Sequence, residues 1–197
     1  MKHMRDLIDA HVGEKFLVCG LGTSLDQFPI EFYEDWDGIT IGVNEIYELF
    51  APEYRFDVNA FNAKDYRAFW NRRGEEICYE YMIPSGVISK EKNGLLSMRG
   101  SGIVPAITAA YQMGAKEIYL IGADFCRNAN GDVYWSGCGK RAPADYQLAR
   151  HDDPELEATL RCLADAFNMY RSMGVEVYNL SQNSRIYGIE TLMLEGE

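Results

Sequence analysis

Five short stretches carry the side chains best suited to chemistry. Gly20-Leu21-Gly22-Thr23-Ser24 directly follows an apolar run. Glycines there let the backbone approach a phosphate or ribose, and the hydroxyls can hydrogen-bond it. The dinucleotide fingerprint is incomplete, because Asp26-Gln27 stands where its third glycine would be. A plain strand-to-helix turn fits the same residues. Asn44 ends a second apolar run, where α/β sheets present ligand contacts and where Asn also caps turns. Arg99-Gly100-Ser101-Gly102 opens a helical stretch. Free backbone N–H groups and the helix dipole make such a start an anion site. Arg99 suits a phosphate or carboxylate, and Ser101 suits an N-cap. A surface arginine beside a capping serine is the plainer reading. Gly122 and Asp124 close a third apolar run at its carboxyl end. His151, the one histidine beyond residue 11, has the near-neutral pKa of a general acid or base.

Two clusters, His151-Asp152-Asp153 and Asp35-Trp36-Asp37, invite a metal reading. Neither is matched by a second cluster at ligand spacing, and capping acids explain them, so no metal and no cofactor is expected. No nucleophile elbow or Walker loop is present. The five cysteines, Cys19, Cys78, Cys126, Cys138 and Cys162, form no CxxC pair. Scattered thiols in odd number fit a reducing compartment.

The elements that must position these residues alternate strand and helix. Lys15–Gly20, Gly38–Val43, Tyr54–Asn59, Ile77–Ile83, Glu117–Gly122 and Val175–Asn179 read as strands. Asp6–His11 reads as a weak helix and Ala63–Arg72 as a helix with Tyr66, Phe69 and Trp70 on its apolar side. Ile103, Ile107, Ala110 and Tyr111 repeat at helical spacing behind Pro105, and Gly114 stops that helix. Pro154–Met173 is the longest helix, with Leu156, Leu160, Leu163, Phe167 and Tyr170 on one face. Ser85–Leu96 reads as a loop, and 126–150 as a lid, because a long aperiodic segment with Tyr134, Trp135 and Tyr146 suits folding over a ligand. The expected architecture is α/β: a single Rossmann-like domain over 1–197, with a mostly parallel central sheet, helices on both faces and a lid.

Length and composition agree. The 197 residues are 47% hydrophobic, enough for a real core. The formal net charge of −11 argues against nucleic acid or an anionic membrane surface as partner. No apolar run reaches membrane-spanning length, and the first residues lack a signal-peptide core. A cytoplasmic location is therefore expected.

The segment GSGIVPAITAAYQMGAKEIYLIGADF resembles part of the bacterial sialyltransferases that build lipooligosaccharide outer cores. Similar patterns occur in a broader group that includes proteins resembling 6-hydroxymethylpterin diphosphokinase. Gly20–Leu25 resembles that family's first loop, and Val43-Asn44-Glu45-Ile46-Tyr47 its second strand end. His151 stands ahead of its helix, and Asn183-Ser184 in the last turn, as in the family. The resemblance implies a metal-independent inverting glycosyltransferase that moves an acidic sugar from a CMP-activated donor to a glycan or other hydroxyl acceptor. It implies His151 as the base, Tyr134 on the leaving phosphate, and Gly20, Gly22, Ser24, Asn44, Arg99, Ser101, Gly102, Gly122 and Asp124 around the donor. It also allows a homo-oligomer. Leu21 departs from the family's donor-contacting Asn, and Cys126 from its second lid tyrosine. Two rivals remain: a Mg-dependent diphosphotransferase, and a non-catalytic nucleotide-binding protein on the same scaffold.

Overall fold

The computed structural model describes residues 2–59, 66–78, 102–139 and 154–193. Its strands are β1 (Lys2–His3), β2 (Lys15–Cys19), β3 (Ile39–Val43), β4 (Tyr54–Asn59), β5 (Tyr66–Asn71), β6 (Glu76–Cys78), β7 (Glu117–Ile121), β8 (Glu176–Asn179) and β9 (Glu190–Thr191). Its helices are α1 (Ile30–Glu34), α2 (Ile103–Gln112) and α3 (Pro154–Ser172), with 3₁₀ turns at Met4–Leu7, Thr23–Gln27 and Asn44–Glu48. All the described strands join one sheet in the order β1-β6-β5-β4-β3-β2-β7-β8-β9. The centre from β4 through β9 is parallel, and only β5 pairs antiparallel with its two neighbours. The expected α/β, Rossmann-like architecture is present.

Alternation along the strands builds two cores. Phe16 and Val18 of β2, Ile41 and Val43 of β3, and Ile118 and Leu120 of β7 face α2 and α3. Leu17, Cys19 and Ile121 face the other way, toward Leu25, Tyr33, Ile46 and Phe50. Strands buried on both faces have no polar side, which is why they read as unbroken apolar runs. Both long helices lie on the first face. The second is covered by α1 and the 3₁₀ turns, which are too short to carry a helical period in the sequence. Burial pushes the Cys19 thiol well above its ordinary pKa, so it acts as a small apolar side chain.

The helix ends follow the expected chemistry. Gly114, at φ +95°, donates to the Tyr111 carbonyl, and Ala115 to that of Ala110. Gly174 and Val175 repeat the arrangement on α3. Four readings are corrected. Ser101 is not the N-cap of α2; Gly102 holds that position, without a side-chain cap bond. The helix expected over Ala63–Arg72 is, from Tyr66, strand β5. The N-terminal helix is a single 3₁₀ turn over Met4–Leu7. The strand expected from Ile77 is β6, Glu76–Cys78, and 79–83 lie outside the described residues. So do the loop read at Ser85–Leu96, the capping acids Asp152 and Asp153, and residues 140–150 of the lid.

Strand order reverses between β2 and β7. The chain steps from β2 through β3 to β4 in one direction, and from β7 through β8 to β9 in the other. Loops leaving the carboxyl ends of two such strands diverge, and α/β sheets place ligands in the crevice between them.

Candidate functional site

The carboxyl ends of β2 and β7 are joined before any ligand is considered. Gly20 N–H donates to the Ile121 carbonyl at 2.8 Å, and Gly22 N–H to the Gly122 carbonyl at 2.7 Å. The approach is too close for side chains. A Cβ on Gly20 would lie 2.2 Å from the Gly122 oxygen, and one on Gly22 would lie 2.6 Å from Asp124 Oδ2. Gly122 also has φ +68°, a left-handed conformation that glycine adopts without steric cost. These glycines are therefore explained by contact between the two loops.

Asp124 is buried at the centre of this contact. Its Oδ1 accepts from Ser24 Oγ at 2.5 Å and Ser181 Oγ at 2.7 Å. Its Oδ2 accepts from the Ser24 N–H at 2.8 Å and Thr23 Oγ1 at 3.2 Å. An ionised carboxylate offers about four acceptor positions. All are engaged by the protein, so Asp124 positions the loops around it and holds no lone pair in reserve for a ribose. Ser24 Oγ accepts in turn from the Gly122 N–H at 2.8 Å. The backbone around Asp124 is tied as well: Arg185 N–H donates to its carbonyl, and Ser184 Oγ to that of Ala123. One carboxylate thus locks the loop after β2, the end of β7 and the turn after β8.

Residues 126–139, the described part of the segment read as a lid, return to this crevice. Tyr134 forms a β-bridge with Gly22, and Trp135 N–H donates to the Leu21 carbonyl at 3.0 Å. Ser136 donates to Asp26 through both its N–H and its Oγ. Tyr134 and Trp135 pack beside buried Leu21. Nearer its start the lid is shaped by Asn128, whose Oδ1 accepts from the N–H groups of Asn130 and Asp132. Cys126 Sγ–H donates to the Asn183 carbonyl at 3.0 Å. Burial first, then the Asp124 charge, raises the Cys126 pKa, with the Arg185 charge opposing.

Of the expected site residues, the fold brings Gly20, Gly22, Ser24, Gly122, Asp124 and Tyr134 together. Asn44 follows the adjacent β3 and opens the next 3₁₀ turn at φ +53°, a left-handed conformation that Asn tolerates better than most residues. Gly102 opens α2 beside them: the Cβ built on Gly20 would come 3.1 Å from Ile103 Cδ1. Arg99, Ser101 and His151 lie outside the described residues. Thr23, named within the loop as a ligand hydroxyl, donates to Asp124 instead, and Ser181 belongs to the cluster without having been singled out. The available signal was positional, since Ser181 closely follows an apolar strand, as Thr23 and Asp124 do.

No protein-family model, curated protein or solved structure matches the chain.

Proposed function

We propose that the chain is a metal-independent inverting glycosyltransferase acting from a CMP-activated acidic sugar. The observation that carries this reading is the return of Tyr134 across the Gly20–Ser24 loop at the sheet's switch point. A pinned glycine loop with an aromatic lid above it suits a nucleotide whose leaving phosphate must be held and screened from water. In this reading His151 takes the acceptor hydroxyl's proton as that oxygen attacks the anomeric carbon. The bond from that carbon to the phosphate oxygen breaks, and CMP leaves with the bonding pair. Tyr134 hydrogen-bonds the departing phosphate. Arg99, Ser101 and Gly102 hold the donor from the start of α2, and Asn44 from the end of β3.

A second reading, a non-catalytic nucleotide-binding protein, is favoured by one specific feature. Asp124, expected beside the base and ribose, spends its acceptors on Thr23, Ser24 and Ser181.

Thermal unfolding with CMP, CDP, ATP, GTP and UDP, each with and without Mg²⁺, separates the possibilities. A ligand at 100 times its Kd stabilises by about 2.7 kcal/mol. Stabilisation by CMP without metal, followed by turnover of a CMP-sugar that His151→Ala abolishes, is the expected result. CMP binding without turnover favours the second reading. Stabilisation only by ATP or GTP with Mg²⁺ replaces both with phosphoryl transfer.

A further inference from the structure

A cavity of about 300 Å³ opens elsewhere on the molecule, lined by Tyr47, Pro52, Arg55, Asn71, Arg72 and Gly74. It lies between the turn that follows β3, the start of β4 and the β5–β6 hairpin. None of its lining residues belongs to the Gly20–Asp124 cluster. Its volume is at the lower end of the range for small-molecule sites.

The lining runs against the character of the chain. Acidic residues outnumber basic ones by 30 to 19, yet two arginines face this one cavity. Arg55 is half-buried on β4. Its guanidinium lies 4.7 Å from the centre of the Tyr47 ring, and its Nη2 donates to Asp57 at 3.0 Å. Its Nε is buried with no hydrogen-bond partner among the described residues. Burying a charged donor without an acceptor is unfavourable, and such groups in folded proteins call for a specific explanation. Arg72 contacts Glu53 at 3.5 Å, with both side chains exposed, a pairing loose enough to exchange for a better one. Tyr47 is 51% exposed despite its size, and with Pro52 it supplies an apolar wall. Asn71 turns its Oδ1 to the N–H groups of Arg73 and Glu75, which fixes the hairpin at the rim.

We propose that this cavity binds a small aromatic acid, a ring carrying one carboxylate or phosphate. The anionic head sits between the guanidinium groups of Arg55 and Arg72, which suit planar, multidentate recognition of such groups. The ring packs against Tyr47 and Pro52. A small movement of the Arg55 head gives its Nε the acceptor it lacks. The site is independent of the glycosyltransferase reading.

Isothermal titration of the full chain with benzoate, phenyl phosphate, inorganic phosphate and benzyl alcohol tests the proposal. Benzoate or phenyl phosphate should bind one to one, and whichever binds more tightly identifies the head group. Inorganic phosphate lacks the ring and benzyl alcohol the charge, so each should bind more weakly. Arg72→Gln, at an exposed position, should weaken the bound acid about tenfold or more without shifting the unfolding midpoint of the free protein. Tyr47→Ala should weaken the aromatic acids and leave inorganic phosphate unaffected. Failure of both acids to bind at millimolar concentration overturns the proposal. So does binding indifferent to both substitutions, which would place the acid away from this cavity.

Discussion

Asp124 shows what one buried residue does when its surroundings are built for it. Its carboxylate gathers three hydroxyls and one backbone N–H from two distant parts of the chain. Asp124→Ala would leave those donors facing an apolar void. The expected loss is about 3 kcal/mol or more, read from urea unfolding. Asp124→Asn retains one carbonyl acceptor and should lose less. A change below about 1 kcal/mol for the alanine variant would sink the clamp assignment. The acid itself was legible, since it follows an apolar strand at the sheet's ligand end. Its partners were not. Ser24 lies 100 positions earlier and Ser181 lies 57 later, and both read locally as turn residues. A turn's composition records its own geometry and leaves open which strand end it will meet.

At the scale of elements, local period and tertiary pairing compete. In α3 they agree. Leu156, Leu160, Leu163, Phe167 and Tyr170 are buried on the face that the spacing marks. Phe167→Ala should therefore cost about 3–5 kcal/mol in chemical denaturation, through lost burial and the cavity it leaves. On the exposed face, Arg161 pairs with Glu157 one turn away at 3.2 Å. Arg161→Ala should change stability by less than about 0.5 kcal/mol. Equal effects at the two positions would mean that α3 is not seated as described. In β5 the two signals conflict. Tyr66, Phe69 and Trp70 are spaced to share a helix side, but aromatic residues also favour sheets. Backbone pairing decides the outcome, from Tyr54↔Asn71 to Asn59↔Tyr66 along β4. The hairpin that makes the pairing local is set by Asn71 and by Gly74 at φ +75°. Asn71-Arg72-Arg73-Gly74 is a turn signal in its own right, but as the end of a helix it reads as a stop.

For the whole molecule, the phenols link fold to pH. Tyr33, the buried residue of α1, donates to the Leu25 carbonyl at 2.6 Å, and burial raises its pKa far above the ordinary tyrosine value. Burial also raises Tyr54 and Tyr119, and brings Tyr170, between α2 and α3, up to about 12. Tyr178 is half-buried on β8, and its hydrogen bond to Glu176, then burial and the nearby carboxylates, bring it to about 12 as well. In the unfolded chain these phenols ionise near 10. Above that pH the unfolded state has released protons that the native state still holds, so stability falls as pH rises. The loss should begin near pH 10 and continue through about 12, where Tyr170 and Tyr178 ionise in the folded protein. Self-repulsion in a chain of net charge −11 pushes in the same direction, but salt distinguishes the two. Added NaCl screens repulsion between exposed charges and leaves the cost of ionising a buried phenol largely in place. Urea midpoints from pH 8 to 11.5, at low and at 0.5 M NaCl, should therefore decline in both series, and the tyrosinate absorbance should gain a step at each urea transition as the buried phenols are released. A decline abolished by salt would assign the alkaline limit to net charge and remove the buried phenols from the account.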